Sequence, residues 1–140
     1  MWPVSFPSRH PADSRLILLV DNDDDLRNVT EQMLTEAGYR VVSARDGIAA
    51  FGAFERHPDV ALLLTDIMMP RIDGLMLADM AKLRHPALRV LYATGYSERV
   101  ARQPGYRYGA LLDKPYRASQ LEAAVAASLA EEPRGRLPLR

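Results

Sequence analysis

The chain has 140 residues, 48% hydrophobic and 26% charged, and its 18 Lys and Arg balance 18 Asp and Glu. That size and balance suit one globular domain with a core of its own. The absence of cysteine excludes disulfide scaffolds, Cys-ligated zinc, iron–sulfur ligation and thiol catalysis, and zero net charge argues against a surface built to coat nucleic acid or membrane.

Five of the ten prolines fall near the ends: Pro3, Pro7, Pro11, Pro133 and Pro138. Residues 1–14 and 131–140 therefore read as tails, with Trp2 and Phe6 as apolar exceptions, and 15–130 as the folded unit. Residues 1–14 lack the apolar stretch of a secretion signal, and no apolar run approaches the ~20 residues of a membrane span. The expectation is a soluble cytoplasmic protein.

Short apolar runs alternate with helical patterns. Leu16 to Val20 is apolar throughout, as a strand covered on both faces should be. Leu26, Val29, Met33, Leu34 and Ala37 follow at helical spacing, with Gly38 as the stop. Tyr39 to Ala44 reads as a strand, and Gly47 to Arg56 as a helix burying Ala50, Phe51 and Phe54. Val60 to Thr65 is a third strand, Gly74 to Arg84 a helix, and Arg89 to Ala93 a fourth strand. Ser97 to Gly109, broken by Pro104 and Gly105, is ambiguous and is expected to be the most mobile part of the unit. Ala110 to Leu112 is a fifth strand, and Ala118 to Ala130 a helix facing inward with Leu121, Ala124, Val125 and Leu129. This alternation predicts an α/β fold, a parallel sheet with helices on both faces.

In such a sheet, chemistry gathers at the carboxyl ends of the strands. There the chain places Asp21, Asn22, Asp23, Asp24 and Asp25 after strand one, Asp66 after strand three, Thr94 after strand four and Lys114 after strand five. Carboxylates suit a hard cation such as Mg²⁺, and a hydroxyl with an ammonium suits an anion beside it. Sixteen of the 18 cations are arginine, so a lysine at a strand end suggests that a compact point charge is wanted there.

Four stretches carry a resemblance: Leu18-Leu19-Val20-Asp21-Asn22-Asp23; Leu64 to Pro70 with Asp73-Gly74; Ala93-Thr94-Gly95; and Lys114-Pro115-Tyr116. In this order and at these spacings the chain resembles a response-regulator receiver domain, the phosphoryl-accepting half of two-component signalling. The resemblance implies a doubly wound, five-stranded, flavodoxin-like sheet of order 2-1-3-4-5, the order for which a receiver is itself the reference case. It implies Asp66 as phosphoacceptor, with Mg²⁺ held by Asp21, Asn22, Asp66 and the Met68 carbonyl. Lys114 would neutralise the transferring phosphoryl group and Thr94 would bond the new phosphate. The implied partners are a sensor histidine kinase or phosphotransfer protein and a downstream protein, with neither nucleic acid nor membrane. The chain would then be no enzyme beyond catalysing its own phosphorylation and dephosphorylation, and would carry no output domain.

Other readings of these residues are weaker. The Asp21–Asp25 run opens like an EF-hand loop, but Leu26 and Gln32 stand where Gly and Glu are required. Asp21 and Asp23 also match the Asp-x-Asp of haloacid-dehalogenase-type phosphatases, which want Thr or Val where Asp25 stands. Asp23, Asp24 and Asp25 also read as residues that cap the first helix and complement its dipole, the better reading for Asp24 and Asp25. His10, His57 and His85 each precede proline and mark turns. Among Tyr96, Tyr106, Tyr108 and Tyr116, two are expected to be ordinary packing residues.

Three departures from the receiver pattern stand out. Asn22 replaces the usual second acid, Leu111 replaces an aromatic switch residue, and only twenty residues separate Thr94 from Lys114. The fourth helix is therefore expected to be short, irregular or missing. Tyr92 to Tyr96 resembles the Phe-Ala-Thr-Gly signature of a single-domain receiver subgroup. Asn22 and Leu111 keep a phosphorylation-independent pseudo-receiver as the alternative.

Overall fold

A computed structural model describes residues 15–95, 106–131 and 137–138. Five parallel strands form the sheet: β1 (Leu16–Val20), β2 (Arg40–Ala44), β3 (Val60–Asp66), β4 (Arg89–Thr94) and β6 (Leu111–Asp113). Their order is β2-β1-β3-β4-β6, which is 2-1-3-4-5 counted within the sheet, as expected. A separate two-residue ladder pairs β5 (Tyr106–Arg107) antiparallel with β7 (Leu137–Pro138).

The central strands β1, β3 and β4 are covered on both faces, which is why their runs show no polar alternation. On one face Leu16, Leu18, Val20 and Leu63 pack with Phe54 and Ala50 of α2 (Gly47–Arg56) and Leu77 and Ala81 of α3 (Gly74–Arg84). On the other, Ile17, Leu19, Leu62 and Leu64 meet Leu34 of α1 (Asp24–Glu36) and Leu121, Val125 and Leu129 of α4 (Ala118–Ala130). Side chains such as Ile17, Leu18, Leu62 and Leu63 are fully buried, each contributing roughly 1.5–3 kcal/mol.

Caps set the helix ends. Asp23, Asp46 and Asp73 accept from Leu26, Ala49 and Met76 N–H, starting α1, α2 and α3. Gly38 closes α1 at φ 103, with its N–H on Thr35 and that of Tyr39 on Leu34, a Schellman arrangement that needs glycine's left-handed freedom. His57 and His85 end α2 and α3 as their C-caps, the turn role their prolines imply.

Several sequence expectations shift. β2 begins at Arg40 rather than Tyr39, whose N–H is taken by the α1 stop. The fifth strand runs 111–113 rather than 110–112, because the register pairs Tyr92 with Leu111 and Thr94 with Asp113. Asp66 and Thr94 are the last residues of β3 and β4 rather than the residues after them. Val29 is 46% exposed, and Thr30 takes the buried position instead. The buried positions Thr30, Leu34 and Ala37 recur at helical period, and Val29 lies one step off that line. Phe51 and Ala124 are only partly buried.

The expected tail at 1–14, including Trp2 and Phe6, lies outside the described residues, as do residues 96–105 and most of 131–140. Among the described residues no helix joins β4 to β6. What is described of that crossover is fastened tightly. A Cβ on Gly109 would lie 1.7 Å from the Val90 carbonyl oxygen, so only glycine lets the chain pass β4 there. Tyr108 is buried, donates its N–H to Tyr92 Oη (3.2 Å) and donates its own hydroxyl to Asp79 Oδ1 (3.0 Å). Lys82, the second lysine, is spent on structure: its ammonium donates to the Pro86 and Leu88 carbonyls beneath the Tyr108 ring.

Candidate phosphoacceptor site

The carboxyl edge of a parallel sheet is also where the helices begin, so the N-termini of α1, α2 and α3 share the edge with the carboxylates. Asp21 follows β1 and is 3% exposed. Its N–H donates to Ala44 on β2, and its Oδ1 accepts from Asp23 N–H at 2.9 Å. Its carbonyl accepts from Arg27 Nη1 at 2.8 Å. Asp66 ends β3 one strand away; its Oδ1 accepts from Met68 N–H at 3.2 Å. Gly74 opens α3 directly against it: a Cβ there would sit 2.2 Å from the Asp66 carbonyl oxygen.

Lys114 joins the two acids. Its Nζ lies 2.9 Å from Asp21 Oδ2 and 3.2 Å from Asp66 Oδ2. Its backbone N–H donates to the Thr94 carbonyl, so the lysine is hung from the end of β4. Thr94 itself is fully buried. The four strand ends named by the sequence therefore converge: Asp21, Asp66 and Lys114 in direct contact, Thr94 bonded to Lys114 through the backbone.

The charges are unbalanced. Burial, reinforced by the charge of Asp21, pushes the Asp66 carboxyl above its ordinary range despite the Lys114 ammonium. Burial also works against charge on Lys114, but its hydrogen bond to Asp21 and the charges of Asp66 and Asp21 outweigh this, so its pKa is raised. Two carboxylates share one ammonium, an arrangement that favours arrival of another cation.

The sequence model of the response regulator receiver domain matches residues 17–126. The chain belongs to the response-regulator receiver family. It is 37% identical over 103 residues to the response regulator receiver protein CpdR of Brucella abortus (strain 2308), covering 71% of this chain and 84% of that protein. It is 39% identical over 111 residues to the DNA-binding transcriptional regulator NtrC of Klebsiella pneumoniae, covering 77% of this chain but 23% of that one. The crystal structure of the receiver domain of the hybrid histidine kinase CckA shares its fold with a TM-score of 0.70 and 30% identity, over 81% of this chain and 98% of that domain.

Within this receiver the remaining acidic residues divide. Asp23 is the α1 cap, and Asp24 and Asp25 lie in the first turn, where their charge complements the helix dipole. Asn22 is exposed at the rim, and the Met68 side chain is 52% exposed while its backbone turns over Asp66. Among the described residues, no three His, Cys, Asp or Glu are grouped to hold a metal. Position 22 holds an amide, and the carboxylates brought together at Lys114 are Asp21 and Asp66. The donors still fit Mg²⁺, which takes one or two carboxylates and completes its shell with neutral oxygens and water.

The structure adds contacts to which the motifs gave no role. Arg27 bridges the Asp21 carbonyl and Asp24 Oδ1 (2.7 Å) with a largely buried guanidinium, clamping the acidic turn to its own helix. The three-residue spacing from Asp24 was a legible signal for half of that contact. Tyr116, two residues past Lys114, meets Thr30 of α1 at 2.6 Å between hydroxyls. A cavity of about 620 Å³ lies elsewhere. It is lined by the C-terminal ends of α2 and α3 (Phe54, Leu83, Arg84 and His85 among them) and shares no residue with the carboxylate rim.

Proposed function

We propose that this receiver is a phosphorylation switch in which Asp66 accepts a phosphoryl group and the altered surface is read by another protein. The observation that carries this reading is the contact of one ammonium with two buried carboxylates, at 2.9 and 3.2 Å from Lys114 Nζ. A buried ion cluster of this kind is costly to fold around, and receivers use it to accept phosphoryl groups.

In the reaction, an Asp66 carboxylate oxygen attacks the phosphorus of the donor in line. The bond from phosphorus to the leaving group breaks, and its electron pair departs with that group. Lys114, already poised on the acids, moves its charge onto the phosphoryl oxygens. Asp21, Asn22, Asp66 and the Met68 carbonyl would hold Mg²⁺, which when bound supplies positive charge beside those oxygens. The Thr94 hydroxyl bonds the new phosphate. Because its carbonyl holds Lys114 N–H, a shift of Thr94 carries the start of the Lys114 loop with it. The chain's own catalysis is limited to this self-phosphorylation and to hydrolysis of the acyl phosphate. The donors in this reading are a sensor histidine kinase or a phosphotransfer protein.

The test is intact mass after incubation with Mg²⁺ and a small phosphoryl donor. The wild type gains one phosphoryl group and Asp66→Asn gains none. A wild type that gains nothing, its fold intact, would instead support the pseudo-receiver reading that Asn22 and Leu111 favour. Label persisting in Asp66→Asn would move the acceptor elsewhere.

A further inference from the structure

Lys114 has to be held firmly enough to meet both acids, yet it sits on a short loop between β6 and α4. Its backbone N–H is anchored on the Thr94 carbonyl. The second anchor comes two residues later. Tyr116 packs its ring against the core formed by Ile17, Leu19, Leu121 and Val125. Its hydroxyl reaches Thr30 Oγ1 at 2.6 Å, across 86 residues of sequence. Thr30 is fully buried and sits on α1, the helix whose Arg27 donates to the carbonyl of Asp21. One helix is thus tied to both arms of the site: to Asp21 through Arg27, and to the Lys114 loop through Tyr116.

We propose that Thr30 and Tyr116 are positioning residues that set the reach of Lys114 toward Asp21 and Asp66. The proposal deepens the phosphoacceptor reading and rests on it for its kinetic consequence. Ring burial alone would locate the loop only loosely, because apolar contact is non-directional. A hydroxyl pair at 2.6 Å between a loop and a fully buried helical threonine fixes a direction as well. The alternative is that Tyr116 is a packing residue and its hydroxyl merely satisfies Thr30.

Two readouts separate these. The first is the rate of Asp66 phosphorylation by a small donor at saturating Mg²⁺. Tyr116→Phe keeps the ring and removes the pin; Thr30→Val keeps the shape and removes the other half; Thr30→Ser keeps the hydroxyl. Tyr116→Phe and Thr30→Val should each slow labelling about fivefold, the equivalent of one net hydrogen bond. The double variant should be no slower than either single one, and Thr30→Ser should stay near wild type. Mg²⁺ affinity should not move, since none of its ligands is touched.

The second readout needs no phosphoryl chemistry. With only two lysines in the chain, the Lys114 ammonium can be followed by nitrogen-detected NMR, with Lys82→Arg to assign it. Its protons should exchange with water slowly in the wild type and in Thr30→Ser, and faster in Tyr116→Phe and Thr30→Val. Unchanged exchange in both of those variants, or a lower melting temperature with an unchanged labelling rate, overturns the proposal. If the wild type takes no label at all, the phosphoacceptor reading fails, and the ammonium exchange still decides the pin.

Discussion

A single methyl group placed on two different glycines should act with opposite sign. At Gly74 an added Cβ would lie 2.2 Å from the Asp66 carbonyl oxygen and 2.9 Å from the Ile67 Cα, against about 3.4 Å for ordinary contact. Both neighbours are backbone at the end of β3, so relief requires a shift of about 1.2 Å there. Overpacking of this kind costs up to about 3 kcal/mol. With about 2 cal/mol/K of unfolding entropy per residue over roughly 115 folded residues, Gly74→Ala should lower Tm by about 12 °C. At Gly52, inside α2, the new Cβ would meet only the flexible end of Arg56 at 3.3 Å. There the entropy gain dominates, and Gly52→Ala should stabilise by about 0.5–1 kcal/mol, raising Tm by roughly 2–4 °C. Melting both variants by circular dichroism in chelator tests the pair. The displaced peptide also carries the Asp66 carboxylate, so folded Gly74→Ala at low temperature should take phosphate about a hundredfold more slowly. A Gly74→Ala protein melting within about 2 °C of wild type would show that α3 does not seat against Asp66 as described.

Asp66→Asn should raise Tm at pH 7 in chelator. The fold holds this carboxyl above its ordinary range, so its contribution to stability is full below about pH 4, where the unfolded chain also binds the proton. That contribution is lost as pH rises through the folded pKa. Asparagine removes the charge but loses the Lys114 pair; because the net shift is upward even with Lys114 present, the gain should win, and it should vanish at acid pH. An unchanged or lower Tm at pH 7 would contradict this balance. Asn22→Asp should tighten Mg²⁺ binding about tenfold, roughly 1.4 kcal/mol, and lower the Tm of the metal-free protein by adding like charge beside Asp21. Isothermal titration with Mg²⁺ checks it, and equal affinities would remove position 22 from the ligand set.

The sequence alone determined the sheet and its site because both depend on local patterns. Uninterrupted apolar runs as short as Leu16–Val20, alternating with longer helical patterns, read as strands covered on both faces, and helices between them impose parallel pairing. In a parallel sheet, the residues at strand ends must meet on one edge, so Asp21, Asp66, Thr94 and Lys114 were legible from their places in the chain. The helix starts were legible less well. Three neighbouring aspartates compete for one N-cap, and backbone geometry at Asp23 settled it. Val29 misled because apolar spacing alone does not say which line of a helix faces the sheet. Tertiary structure decided what depends on residues far apart in the chain: which acid oxygens face the Lys114 ammonium, how Gly74 and Gly109 abut backbone from other elements, and the meeting of Thr30 with Tyr116. No periodicity encodes a hydrogen bond between two hydroxyls on separate elements; it exists only once α1 and the loop before α4 pack on the same face of the sheet.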